Sequence, residues 1–155
     1  EDAPWWAADA AISALGTTIG KAGSQDAFRR VDHGYQLAVA QLAHQHGTPA
    51  FVLNSALGAD PASRIFYNRV KGELERDLAG LDFASLTFVR PGLIGGERSE
   101  VRTAERAALI LLGILGPVLP RAWRINPAGR IAAAMIEAAI AAKPGRHVVS
   151  SAALV

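Results

Sequence analysis

Ala50-Phe51-Val52-Leu53 is an unbroken apolar run, stopped by Asn54-Ser55 and followed by the turn-forming loop Gly58-Ala59-Asp60-Pro61. A strand with no polar alternation needs cover on both faces, which is the pattern of a parallel sheet held between helices. Residues 65–78 then form an amphipathic helix carrying Glu73, Glu75, Arg76 and Asp77, with Gly80 as its stop. Strand, loop and helix in this order predict one βα unit.

The same unit recurs on either side. Upstream, residues 10–15 are a short, mostly apolar strand ending at Gly16-Thr17-Thr18. Residues 27–45 follow as one helix with a stripe of Phe28, Val31, Leu37, Ala38, Leu42 and Ala43, stopped by Gly47-Thr48-Pro49. Downstream, Leu86-Thr87-Phe88-Val89 is a third strand closed by Arg90-Pro91-Gly92, and residues 102–115 read as an apolar helix. Asn126 is placed as the N-cap of a helix over residues 128–142, with Pro127 in its first turn. Lys143-Pro144-Gly145 ends it, and His147-Val148-Val149 is a last strand. Without an internal repeat or linker, residues 1–155 are expected to form a single α/β domain with helices on both faces of a Rossmann-type parallel sheet.

Composition narrows the function. The chain has 155 residues, half of them apolar and 19% charged, enough for a real core. Sixteen basic against 14 acidic residues leave a net charge of +2 with no run of one sign, which argues against a nucleic-acid surface. The absence of cysteine excludes disulfides, thiolate metal sites and cysteine nucleophiles, and fits a reducing, cytoplasmic setting. The greasy residues 107–119 are interrupted by Gly113, Gly116 and Pro117 and are too short to span a bilayer, so no transmembrane segment is expected. The start at Glu1, without Met or a signal pattern, reads as an internal cut.

Three residues carry chemistry. Ser55 sits just past the second strand, Tyr67 comes on the following helix, and Lys71 lies four residues later on the same helical face. A free tyrosine ionises near pH 10 and is a poor acid or base at neutrality. An ammonium group beside it favours the phenolate, which lets the phenol exchange a proton with a substrate oxygen. A serine hydroxyl nearby can hold that oxygen. The bland reading is a surface helix with an ordinary tyrosine and a solvated lysine.

The ordered pieces Leu15-Gly16-Thr17-Thr18, Val31-Asp32, Asn54-Ser55, Tyr67-Asn68-Arg69-Val70-Lys71-Gly72-Glu73 and Phe88-Val89-Arg90-Pro91-Gly92 resemble the short-chain dehydrogenase/reductase superfamily. Within it they are most similar to the atypical branch of Tat-interacting-protein-like and epimerase-like oxidoreductases. The resemblance implies catalytic roles for Ser55, Tyr67 and Lys71. It also implies a cofactor site at Leu15, Gly16, Thr17, Lys71, Pro91, Gly92 and Leu93, and NADP in preference to NAD. It implies a small-molecule carbonyl or alcohol substrate, hydride transfer, and a homo-oligomer as one option. Asp32 stands where many such proteins have Asn, and no fourth role is assigned to it. The alternative is a non-enzymatic nucleotide sensor or scaffold on the same fold.

The glycine loop that grips pyrophosphate is not in the chain, so the N-terminal βαβαβ half is expected to be missing. Gly16-Thr17-Thr18-Ile19-Gly20-Lys21 is only a near miss for a phosphate loop. No metal site is expected: His44 and His46 face different ways on a helix, and His33 and His147 stand alone. Trp5-Trp6 reads as packing at the sheet edge, and residues 107–119 as an apolar roof, a subunit contact or a membrane-surface patch.

Overall fold

The computed structural model describes residues 6–95, 120, 121 and 124–155. The expected helix over 102–115, the apolar roof over 107–119 and Trp5 lie outside the described residues. In chain order the elements are β1 (Ala10–Ser13), α1 (Ile19–Ala22), α2 (Gln25–Arg29), a π-helical turn (Arg30–Tyr35), α3 (Gln36–Gln45), β2 (Ala50–Asn54) and α4 (Phe66–Ala79). They continue with β3 (Ser85–Arg90), β4 (Ile94–Gly95), β5 (Asn126–Pro127), α5 (Ala128–Ala141), β6 (Gly145–Ser150) and a closing 3-10 turn, Ser151–Leu154.

Four strands form one sheet in the order β1-β2-β3-β6, every pair parallel. Period-two side chains send Phe51 and Leu53 to one face and Val52 to the other. Phe51, Leu53, Leu86 and Phe88 pack with Ala40 of α3 and with Leu74 and Leu78 of α4. On the opposite face Val52 and Val89 pack with Ile131 and Met135 of α5 and with Leu154. The expected α/β architecture, a Rossmann-like parallel sheet with helices on both faces, is therefore what the chain adopts.

Three local expectations need correction. The strand expected over residues 10–15 ends at Ser13, the last residue paired with β2, whose hydroxyl donates to Gln36 Oε1 on α3 at 2.8 Å. The helix expected over residues 27–45 begins at Gln25 and stays in helical conformation to Gln45 through α2, a π-turn of six residues and α3. Ser24 caps the first of them by accepting the Ala27 amide at 3.1 Å. Asn126 does not cap α5; Pro127 occupies that position, in extended conformation. The Asn126 side chain is instead wholly buried and bonded away from the helix, as described below.

All four main strands run the same way, so Ser13, Asn54, Arg90 and Ser150 line one carboxyl edge. Ligands bind at such an edge in open α/β sheets. Helix α4 starts there, and its first two turns carry Tyr67 and Lys71.

Candidate active site at the carboxyl edge of the sheet

Helix α4 is fixed at this edge by a close backbone approach. A Cβ on Gly72 would stand 2.2 Å from the Asp60 carbonyl carbon and 2.3 Å from Pro61 N, so the β2–α4 loop lies directly on the helix. Only glycine permits that contact, one residue from Lys71. Asp60 N also donates to Asn68 O at 3.1 Å. The loop is thus strapped to the helix it precedes.

Lys71 is 3% exposed and Asp32 is 1% exposed, and their charged atoms are 2.8 Å apart. Asp32 belongs to the π-turn. Its second oxygen accepts the Thr17 amide at 2.8 Å, and a Cβ on Gly16 would stand 3.3 Å from the first. The strand-end segment Gly16-Thr17 is therefore joined to Lys71 through one carboxylate. Arg29 to Glu73 (2.5 Å) and His33 to Asp77 (2.8 Å) flank the pair and tie the same segment to α4. Asp77 is pushed up by its partial burial, but its bonds to His33 and Arg76 outweigh that and hold it below the ordinary carboxylate value.

Tyr67 lies one turn before Lys71, its ring 5.7 Å from that of Phe28. Its phenol is pushed above the ordinary tyrosine value, first by burial and second by the negative charge of Asp32. This reverses the expected downward tuning by Lys71, whose charge is matched by Asp32.

Ser55 is brought to the same helix but to a different partner. Its hydroxyl donates to Glu75 Oε1 at 2.5 Å, and Arg90 Nε donates to that oxygen at 2.9 Å while an Arg90 terminal nitrogen meets Glu75 Oε2. Ser55 and Glu75 are buried. The structure thus brings Gly16, Thr17, Tyr67 and Lys71 together around Asp32, and places Ser55 in a neighbouring network one helical turn further along α4. Leu15 and Leu93 are exposed at the rim.

Pro91-Gly92-Leu93 is held from two sides. Leu57 N donates to Pro91 O at 2.7 Å, Gly92 N donates to Asn126 Oδ1 at 2.7 Å, and Asn126 N donates to Leu93 O at 2.7 Å. Asn126 Oδ1 also accepts the Ser151 hydroxyl at 2.8 Å, and its Nδ2 donates to Ser151 O at 2.9 Å. A sequence pattern reading Asn-Pro before a helix gives a capping expectation, and nothing local distinguishes that from a buried hub.

Asp32 and Asn54 are functional candidates that sequence reasoning left unassigned. Asn54 ends β2, and its Oδ1 is buried without a hydrogen-bond partner. A buried orphan acceptor at the carboxyl edge of the sheet suits a ligand that brings its own donor. Such an acceptor carries no signal in the sequence beyond a polar residue closing an apolar strand. Among the described residues no group of His, Asp or Glu is arranged to hold a metal, and no helix is long and apolar enough to cross a membrane.

The fold and this edge define a Rossmann-like α/β protein with a buried Lys–Asp pair beside a tyrosine. No family model matches the chain. It is similar to "Protein fmp52, mitochondrial" of Aspergillus fumigatus, 41% identical over 137 residues, which cover 86% of this chain and 58% of that protein. The Aspergillus niger protein of the same name is 38% identical over 140 residues, 88% and 59% of the two chains. "Protein FMP52-2, mitochondrial" of Scheffersomyces stipitis is 42% identical over 99 residues, 64% and 43%. The chain spans less than two thirds of the length of these curated relatives. Two expectations are thereby corrected. The relatives carry the FMP52 name, not that of the Tat-interacting-protein-like dehydrogenases. Their names say mitochondrial, against the cytoplasmic placement drawn from the lack of cysteine, a composition that does not distinguish the two compartments.

Proposed function

We propose that the protein is an NAD(P)-dependent oxidoreductase acting on a small-molecule carbonyl or alcohol. The observation that carries this reading is the Tyr67–Lys71 pair one turn apart at the carboxyl edge of a parallel sheet, with Lys71 buried. The residues present fit a nicotinamide nucleotide: Gly16 leaves room beside Asp32, and Asn54 Oδ1 offers an acceptor with no partner of its own. The cofactor, when bound, supplies the hydride chemistry. In this chain Tyr67 carries the proton that a substrate oxygen gains or loses, and its raised phenol favours the protonated, donating form at neutral pH. Lys71 would hold the nicotinamide ribose. Pro91, Gly92 and Leu93 would border the nicotinamide, with NADP the preferred cofactor. Ser55 orients the substrate only if its hydroxyl leaves Glu75. The names of the relatives support a mitochondrial setting.

One observation favours a second reading, a nucleotide sensor or scaffold without turnover: both Ser55 and Lys71 are bonded to buried carboxylates. Fluorescence titration with NADPH and NADH separates the readings, run on this chain and on a form extended to the length of the relatives. The enzyme reading expects binding, NADPH consumption with a panel of aldehydes and ketones, and loss of consumption in Tyr67→Phe with cofactor affinity unchanged. Binding without turnover against the whole panel gives the second reading the advantage. Retained turnover in Tyr67→Phe removes Tyr67 from the chemistry.

A further inference from the structure

A buried carboxylate is costly unless it is paired and hydrogen-bonded. Asp32 meets both conditions with groups from two other parts of the fold: the Lys71 ammonium on α4 and the Thr17 amide past β1. Its place on a π-turn also matters. Such turns are rare and gather at functional sites, since the wider winding turns a side chain out of the regular helical stripe. The flanking pairs Arg29–Glu73 and His33–Asp77 fix the register of this turn against α4.

We propose that Asp32 is a positioning residue of this site, clamping the Lys71 ammonium and the Thr17 amide in one buried network and cancelling the charge that Lys71 would otherwise present to Tyr67. Among the described residues, Asp32 of the π-turn is the charged group that acts on the phenol, and Lys71, one turn along the same helix, is paired with it; from α2 the neighbour is the Phe28 ring. An uncompensated lysine in this position would favour the phenolate. Burial first, and Asp32 beside it, hold the phenol protonated, and the site is set as a proton donor.

The inference rests on reading Tyr67 and Lys71 as the proton machinery, but its test needs neither cofactor nor turnover. Tyr67 and Tyr35 are the two tyrosines of the chain, so a Tyr35→Phe background leaves one phenol to titrate by its ultraviolet tyrosinate absorbance. In that background Tyr67 is expected to ionise above the ordinary midpoint of about 10. Adding Asp32→Asn, which keeps the shape and the acceptor for Thr17, removes the second cause of the raised phenol and is expected to lower the midpoint, while burial of the ring persists. Lys71→Met on top of it discriminates: removing the uncompensated ammonium is expected to raise the midpoint again, whereas a merely loosened fold leaves it where it was. A midpoint no lower in the Asp32→Asn variant, or no rise when Lys71→Met is added, overturns the proposal. Should Asp32→Asn fail to fold, amide hydrogen exchange at Thr17 in the unaltered chain takes over. Thr17 lies outside the helices and strands, so slow exchange there is expected only from its bond to Asp32. Exchange at the free-peptide rate overturns the clamp. Failure of NADPH binding, by contrast, would strike the enzyme reading and leave this result standing.

Discussion

The Ser55 hydroxyl stands 2.5 Å from a carboxylate oxygen of Glu75, and Arg90 closes on the same carboxylate from β3. A serine at the end of a strand is thereby tied to the helix that follows it, and β3 is tied in with it. The order of effects on stability follows from which groups each change leaves unpaired. Ser55→Ala removes one hydrogen bond to a charged acceptor that Arg90 still satisfies, a loss of about 1–2 kcal/mol. Glu75→Ala strips the carboxylate from both Ser55 and the half-buried Arg90 and is expected to cost about twice as much. Urea denaturation of the two variants checks the order. Equal losses would show that Arg90 contributes nothing through Glu75.

Gly72 makes the second prediction. Its missing Cβ is where the backbone of Asp60 and Pro61 lies, and backbone cannot rotate away as a side chain can. Gly72→Ala ordinarily gains helix propensity, roughly 1 kcal/mol. Here the overlap forces the loop off the helix and the expected net result is a loss of about 1–3 kcal/mol. Because the displaced loop borders Lys71, the affinity for NADPH that the proposed function expects should fall with stability. A stabilised Gly72→Ala variant would mean that the loop does not rest on α4.

Alkaline pH supplies a third. Tyr67 has its folded value above its unfolded one, first through burial and then through Asp32. A group raised in this way contributes stability that is fully present below its unfolded value, about 10, and is lost as pH rises through the folded value. The chain should therefore lose stability above about pH 10, and Tyr67→Phe should lose less over the same window. Thermal melts of both proteins across that window test it. Parallel curves for the two would assign the alkaline loss to other groups.

The parallel sheet and its helical cover were legible because Ala50-Phe51-Val52-Leu53 and Leu86-Thr87-Phe88-Val89 are apolar on both faces, and one period suffices to read that. Tyr67 and Lys71 were legible because i and i+4 share a helical face. What escaped depends on contacts distant in sequence. The π-turn has no composition of its own, and Asp32 becomes intelligible only when Lys71, 39 positions later, and Thr17 are seen around it. The partner of Ser55 is twenty residues away on the buried side of α4, where an isolated reading sees an ordinary surface glutamate. The sign of the Tyr67 shift failed for the same reason: the lysine was visible in the pattern, but neither the burial of the ring nor the counter-charge of Asp32 was.

Asn126 is where the sequence misled most, and it makes the last prediction. As a cap it would be exposed and its replacement would cost about 1 kcal/mol, expressed as fraying of α5. In the structure it is 0% exposed and joins Gly92 to Ser151 through three side-chain bonds, while its own amide holds Leu93 O. Asn126→Ala leaves the Gly92 amide and the Ser151 hydroxyl without that acceptor, and buried polar groups stranded in this way cost about 1–3 kcal/mol each. The loss should therefore exceed that of a cap and should be felt at Pro91-Gly92-Leu93 more than in the helix. Asn126→Asp is the discriminating partner: it keeps the acceptor for Gly92 and Ser151 but cannot donate to Ser151 O. Amide exchange that quickens at Gly92 and Leu93 in Asn126→Ala, stays slow at Gly92 in Asn126→Asp, and leaves α5 unchanged in both is the expected pattern. Faster exchange confined to the first turn of α5 would return Asn126 to the role of a cap.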